Sequence, residues 1–291
     1  MSRSYANHEV LEFYRKLPFN YFGDVNASTD SIRESDSITY YPPLPPILQR
    51  GVKVIDIGCG AGGFVNAVNF HYGRYGTRAC GVDYNPVALK QASLVASRLG
   101  ITSDFVQADL FSFMPAEPFD LVTSLGVLHH TDDCMEGLRH VARHCLRQGG
   151  HLFVGLYHKH GRKPFLDHFA RLREKGLNRD ELFLEFMKLR ASSGDRLHDY
   201  SWFCDQVLHP HETQHTLEEI IAVLRSERMK LISTSINRYQ PFSSESDLIE
   251  QEKAYYQIGV RRLQERTYFP GFFVFLAAAT QHQDSHEPDL D

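Results

Sequence analysis

No stretch of this sequence approaches the roughly 18 consecutive apolar residues of a membrane-spanning helix. The longest apolar run, Phe272 to Ala279, has the length of a strand. The opening residues, MSRSYANHEVLEF, contain no apolar signal core. Cysteine is scarce: five in 291 residues, an odd number with no C-x-x-C pair, which disfavours a disulfide scaffold or a cysteine zinc site. Excess positive charge is missing too. Lys+Arg is 31 against 36 Asp+Glu, a net −5, so the chain lacks the basic balance of a domain that lives on phosphate backbones. No internal repeat is present. These absences lead to the expectation of a soluble, cytoplasmic protein without membrane contact. With 42% hydrophobic and 23% charged residues the chain has an ordinary globular balance, which excludes wholesale disorder.

What is present is regular punctuation. Residues 1–50 read as an N-terminal helix, with Val10, Leu11, Phe13, Tyr14 and Leu17 at helical spacing and Pro18 as its stop. A polar stretch from Asp24 to Ser37 follows, and then Tyr41 to Pro46, a proline run expected as a stiff extended connector. From Val52 strands and helices alternate. Val52 to Ile57 is a strand ending in Gly58-Cys-Gly-Ala-Gly-Gly63. Phe64 to Phe70 is a helix and Arg78 to Asp83 a strand. Asn85-Pro86 caps a helix that Gly100 stops. Strands are expected at 105–106, 119–125 and 151–157, with Thr131 or Asp132 capping the helix between the last two. This alternation specifies a parallel sheet covered by helices on both faces. It breaks at 158–215, where two amphipathic helices and a histidine-rich loop are expected. Thr216-x-x-Glu219 then opens a helix, 231–236 and 272–279 are strands, 237–268 is a second insertion, and 281–291 is a polar tail expected to be disordered.

Gly58-x-Gly60-x-x-Gly63 matches the dinucleotide fingerprint, with Asp83 about 20 residues on at the end of the second strand. By itself that pattern fits NAD, FAD or S-adenosylmethionine. Asp56 discriminates: a buried anion just before the loop would repel a pyrophosphate but attract an ammonium group. Gln107-Ala-Asp109 closes the third strand, where an acid can accept from an adenine amine.

The segments VIDIGCGAGG, GVDYNP, QADL and LGVLHH stand here in the order and spacing of the class I S-adenosylmethionine-dependent methyltransferases, which the chain resembles over roughly Val52 to Tyr157. The resemblance implies a Rossmann-like, doubly wound, mostly parallel seven-stranded sheet with an antiparallel last strand. It implies a methyltransferase domain over 51–280. The insertion at about 158–215 follows the fifth strand at the ligand-binding edge and carries apolar helical stripes, so with the N-terminal helix it is expected to form a helical lid over the acceptor pocket. The resemblance also implies residue roles. Asp56 would face the methionine ammonium, with Gly58, Gly60 and Gly62 passing beneath the cofactor. Asp83 would hold the ribose, with Tyr84 beside the adenine. Asp109 would take the adenine amine and Leu110 would stack on the ring. Leu125 and Gly126 would reach the methionine end.

Methyl transfer from a sulfonium requires alignment and exclusion of water, and an oxygen or nitrogen acceptor benefits from a base. The chain has 16 histidines. His211 and His215, in the polar segment His209 to His215, are the first candidates for that base and His129, after the fourth strand, is the next. Hydrogen bonding within the loop and metal binding compete for the same cluster. A loop gives no preset ligand geometry, so no metal is counted. The expected acceptor is a small molecule under the lid. The alternatives are an RNA (tRNA) or protein methyltransferase, a nicotinamide oxidoreductase, and a cofactor-binding module without turnover.

Overall fold

The computed structural model describes residues 8–280. In chain order it contains α1 (His8–Lys16), α2 (Val25–Glu34), α3 (Leu44–Leu48), β1 (Lys53–Ile57), α4 (Gly63–Tyr72), β2 (Arg78–Asp83) and α5 (Pro86–Leu99). Then come β3 (Asp104–Gln107), β4 (Phe119–Leu125), α6 (Cys134–His144), β5 (Leu146–Tyr157), α7 (Lys159–Glu174), α8 (Arg179–Met187) and α9 (Arg196–Val207). The chain closes with α10 (Leu217–Ser226), β6 (Met229–Thr234), α11 (Glu245–Glu252), α12 (Tyr255–Gln264) and β7 (Phe272–Ala279).

The seven strands form one sheet in the order β3-β2-β1-β4-β5-β7-β6. β1 to β5 pair in parallel, and β7 runs antiparallel to both β5 and β6. Burial on both faces explains why the central strands are continuously apolar. Val54, Leu121 and Phe153 face α3, α4 and α5, while Ile55, Val122, Leu152 and Val154 face α6 and α10. Local signals agree with this frame. The Asn85 side chain accepts from Val87 N, Pro86 sits at the first helical position, and Gly100 closes α5 in the left-handed region. Capping boxes open α8 and α10.

The differences from the sequence-based expectation lie at the edges. The proline run is not extended: Leu44–Leu48 is a short helix. Prolines in a first turn forfeit no hydrogen bond, and Leu44, Ile47 and Leu48 bury one face of it in the core. The polar stretch after Asp24 is largely helix α2, which buries only Thr29 and Ile32. Residues 158–215 hold three helices rather than two, α9 being the third, with the Asp195 side chain accepting from Leu197 N and His198 N. Asp133, one residue beyond the two expected caps, opens α6, because Thr131 is spent closing the turn Leu128–His130. Helices α7 to α9 make their own aromatic core from Phe165, Phe169, Phe186 and Phe203, against which Phe13 of α1 and Leu17 just after it pack. All five cysteines are free. Among the described residues no helix is long and apolar enough to cross a membrane. The polar tail expected from residue 281 lies outside the described residues.

Candidate active site

The strand order reverses between β1 and β4, and a cavity of about 280 Å³ opens there at the carboxyl ends of β1, β2 and β4. This is the switch point where open α/β sheets bind ligands. The loop from β1 to α4 forms its floor. Gly58 N and Cys59 N both donate to Val82 O, at 2.7 and 3.0 Å, which draws the turn across the end of β2.

Two glycines of this loop serve different ends. Gly60 (φ +53) lines the cavity, and a Cβ built there meets nothing within 4 Å, so its bare face is open to a ligand. Gly62 (φ +74) does not line the cavity. A Cβ there would come within 2.5 Å of Ala92 Cβ and 2.9 Å of the Phe105 ring, so its role is to let α5 and β3 close on the loop. Gly62→Ala adds overpacking to left-handed strain and is expected to cost about 2–4 kcal/mol in chemical denaturation. Gly60→Ala is expected to cost only the strain, about 1–2 kcal/mol, while crowding the cavity.

Three acids at the ends of successive strands line the same cavity. Asp56 of β1 is 4% exposed, and its Oδ1 accepts from Thr123 Oγ1 at 2.7 Å. Burial, opposed by that bond and helped by Asp83, pushes its carboxyl up to about 7. Asp83 of β2 is fixed by two backbone donors. Gly60 N reaches Oδ2 and Asn85 N reaches Oδ1, each at 2.8 Å. Burial raises its pKa while these N–H groups pull it back. Asp109 follows β3, and its Oδ1 accepts from Phe111 N at 2.9 Å. Tyr84, Leu110, Leu125, Gly126 and Gly58 complete the expected set, all on the cavity wall.

The opposite wall comes from the N-terminal segment, which was expected to cover the acceptor pocket together with residues 158–215. Val10, Leu11, Tyr14, Arg15, Phe19 and Asn20 line the cavity, whereas no described residue between 158 and 215 does. The three-helix insertion braces this wall from behind. Asp195, the N-cap of α9, accepts from Gly23 N and Asp24 N, and Asn20 Oδ1 accepts from His198 Nε2 and Trp202 Nε1 at 2.7 and 3.1 Å. Tyr14 Oη donates to Asp205 at 2.5 Å. A tyrosine in an apolar helical stripe carries no sequence signal for such a position.

The histidines fall differently from expectation. None of His129, His211 and His215 lines the cavity; His130 does. The ring of His129 is buried beneath Tyr157, and its Nδ1 accepts from Tyr157 N at 3.3 Å. His215 pairs its backbone with β5: its N–H donates to Tyr157 O and its carbonyl accepts from Lys159 N, both at 2.9 Å. Its Nε2 meets Thr213 Oγ1. His211 Nε2 faces Thr131 O at 3.2 Å. The segment 209–215 is therefore a bonded strap beside β5. Among the described residues, one set of donor atoms lies within 4.8 Å of one another as a metal site requires, that of His130, Asp205 and His209. It is not the loop cluster that the sequence suggested. His209 Nδ1 is already used, accepting from His211 N at 3.2 Å.

Comparison with known proteins covers the same region. The family described as "Methyltransferase domain" matches residues 55–154. The ubiquinone biosynthesis O-methyltransferase of Xylella fastidiosa (strain 9a5c) is 30% identical over 149 residues, 48% of this chain and 58% of that protein. The ribosomal protein L11 methyltransferase of Thermus thermophilus is 36% identical over 77 residues, 26% of this chain and 29% of that protein. The chain thus spans 58% and 29% of the length of these two curated relatives. In fold it is similar to PKMT2 from Rickettsia typhi in complex with AdoHcy, with a TM-score of 0.59 and 16% identity over 81% of this chain and 50% of that one. It is also similar to magnesium protoporphyrin IX methyltransferase from Synechocystis with bound SAM, with a TM-score of 0.51 and 13% identity over 96% of this chain and 100% of that one.

Proposed function

Since the chain belongs to the class I S-adenosylmethionine-dependent methyltransferases, we propose that it moves the methyl group of S-adenosylmethionine to a nucleophile of a small-molecule acceptor. The observation that carries this reading is the line of Asp56, Asp83 and Asp109 along one cavity, over a glycine whose missing Cβ leaves space. These residues fit the cofactor. Asp56 suits an ammonium group, Asp83 has lone pairs left for the ribose hydroxyls, and Asp109 with Leu110 suits the adenine. A pyrophosphate would meet three carboxylates, which argues against a nicotinamide dinucleotide. When bound, the cofactor supplies an electrophilic methyl group. The chain's share of the work is to hold the acceptor in line and to keep water out.

The acceptor end is closed by Val10, Leu11, Tyr14 and Phe19, a narrow apolar wall that suits a small molecule better than an RNA or a folded protein. The O-methyltransferases among the relatives support oxygen as the accepting atom. The five free cysteines support a reducing, cytoplasmic setting.

Calorimetric titration with S-adenosylmethionine tests the reading. Asp83→Ala is expected to weaken binding by about 1.5–3 kcal/mol, the scale of hydrogen bonds to a charged acceptor. Equal affinity of variant and parent would remove Asp83 from the site. Binding of NADH in place of S-adenosylmethionine would overturn the reading.

A further inference from the structure

His130 contributes to the cavity wall in a way that cofactor binding leaves unused. It ends the turn Leu128–His130 after β4, is 4% exposed, and lines the cavity. Its Nδ1 lies 2.9 Å from the carbonyl oxygen of His211. A carbonyl only accepts, so Nδ1 carries the proton and the neutral ring keeps its lone pair on Nε2. That Nε2 is buried and has no hydrogen-bond partner. A buried acceptor without a donor is a defect that folded proteins rarely retain, unless a donor arrives from outside. Asp205 Oδ1 stands 4.0 Å from the same Nε2. The Asp205 carboxylate is held from three elements. Tyr14 Oη of α1 donates to Oδ1, the neighbouring Gln206 Nε2 donates to Oδ2 at 2.6 Å, and Tyr157 Oη of β5 donates to Oδ2 at 3.4 Å.

Resting on the methyltransferase reading, we propose that His130 Nε2 is the base that takes the proton of a hydroxyl acceptor, with Asp205 as its positioning residue. In this step the acceptor's O–H bond breaks and its proton bonds to Nε2. The electron pair left on oxygen forms the new bond to the methyl carbon, while the S–CH₃ bond breaks and leaves its pair on the cofactor's sulfur, which departs as a neutral thioether. The imidazolium so formed lies against the Asp205 carboxylate and returns its proton to water after product leaves. The strap 209–215 then has a use for its position: the His211 carbonyl sets the tautomer, and the His209 ring stacks on His130 with centroids 3.7 Å apart.

The charged and titratable groups around His130 come from every neighbouring element: Tyr14 from α1, Tyr157 from β5, Arg162 from α7 and Asp205 from α9, besides His129, His209 and His211. Burial, opposed by the bond to the His211 carbonyl and helped by the charge of Arg162, holds His130 down to about 3, so the ring is neutral and able to accept across pH 5–8. So weak a base suffices, because an oxygen that gained a methyl group while keeping its proton would be far more acidic than an imidazolium. At saturating cofactor no acid limb is therefore expected from this ring in that range.

Two measurements on the full chain test this. In ¹⁵N-histidine NMR without cofactor, His130 is expected as the Nδ1–H tautomer down to pH 5, and phenol, as a minimal apolar hydroxyl, is expected to shift its Nε2 resonance. In single-turnover assays over a panel of hydroxylated aromatics, His130→Ala is expected to lower the rate about 10²–10⁴-fold, with cofactor affinity within twofold of the parent. Asp205→Asn is expected to lower it at least tenfold. Both deficits should shrink as pH rises toward the acceptor's own pKa, because an ionised acceptor needs no base and a merely misfolded variant would not be rescued. An Nε2–H tautomer, a deficit that is equal at every pH, a parental rate in His130→Ala, or stoichiometric zinc bound through Nε2 would each overturn the proposal. Failure of the parent to bind S-adenosylmethionine would instead overturn the reading on which it rests, and the NMR result distinguishes the two.

Discussion

Arg162→Met is expected to lower the stability of the chain by about 3–5 kcal/mol, the cost of leaving one member of a buried ion pair without the other. Arg162 sits in the first turn of α7 with none of its surface exposed. Its guanidinium makes a two-pronged pair with Glu212, Nε to Oε1 at 2.9 Å and Nη2 to Oε2 at 2.7 Å. The other donors reach Gln206 Oε1, Gln206 O and Pro270 O, and the plane lies 3.9 Å from the centroid of the Tyr157 ring. Methionine fills most of the volume but none of the five hydrogen bonds, and it strands the Glu212 carboxylate in a mostly buried site. In thermal unfolding the loss corresponds to roughly 5–8 °C for a chain of this size. The double variant Arg162→Met/Glu212→Gln is expected to recover part of it, because no charge is then left unpaired. A melting temperature within 2 °C of the parent for Arg162→Met would show that the pair contributes nothing. The same variant frees the strap 209–215, so the tautomer of His130 is expected to lose its definition alongside the stability.

That arginine also explains what the sequence concealed. The segment His209 to His215 looks too polar for a connector, and a polar loop beside a cavity invites a catalytic reading. The polarity answers instead to a partner some fifty residues earlier in the chain. Glu212 is there for Arg162, and His215 and Thr213 bond to β5 and to His129 O. No local pattern shows that a cation in α7 will be buried. The choice between His129 and His130 was closed to sequence for a related reason. The two are adjacent in one tight turn, where neither a period of 2 nor one of 3.6 says which ring meets the cavity.

What was legible was legible for physical reasons. Residues 52–157 announce themselves because each strand–helix junction needs a residue with little choice: a glycine at positive φ, an Asn-Pro cap, an acid at a strand end. The ten residues expected to hold the cofactor, from Asp56 to Gly126, lie within that stretch; nine of them line the same cavity, and Gly62 turns away, toward packing. The sequence points to the N-terminal helix as part of the cover, but not to which of its residues line the cavity, nor to the absence of residues 158–215 from that lining. α2 buries two residues of ten, which leaves no apolar stripe to detect. In α1, Tyr14 and Phe13 belong to the same helical pattern, yet one lines the cavity and the other packs on the aromatic core of α7 to α9. Which neighbour a residue faces is decided by the tertiary arrangement, and a helical period does not contain it.

Asp56→Asn is expected to make the unliganded chain more stable and to make it bind its cofactor less well. In the folded chain the Asp56 carboxyl is pushed up to about 7, against about 3.9 for an unfolded aspartate. Between those two values the folded state holds a proton that the unfolded state has lost. Stability therefore falls as pH rises through that window, and the full penalty is present above pH 7. Three pH units correspond to about 4 kcal/mol at most. An asparagine carries no charge to bury, and its carbonyl can still accept from Thr123 Oγ1. The variant is thus expected to gain stability over the parent at pH 8 and to lose that advantage near pH 4, as measured by urea denaturation at both values. Equal stability of variant and parent at both pH values would mean that Asp56 ionises as an ordinary carboxylate. Binding should move the other way. A ligand ammonium beside Asp56 favours its charged form, so cofactor binding between pH 5 and 7 is expected to release a proton. The parent's affinity should then rise with pH over that range, by up to about tenfold per unit, while that of the asparagine variant stays level. Calorimetry in buffers of different ionisation enthalpy counts that proton directly. A destabilising acid at the end of β1 would then have its explanation in the ligand: the chain keeps a carboxylate where burial opposes it, because the incoming cation is what relieves it.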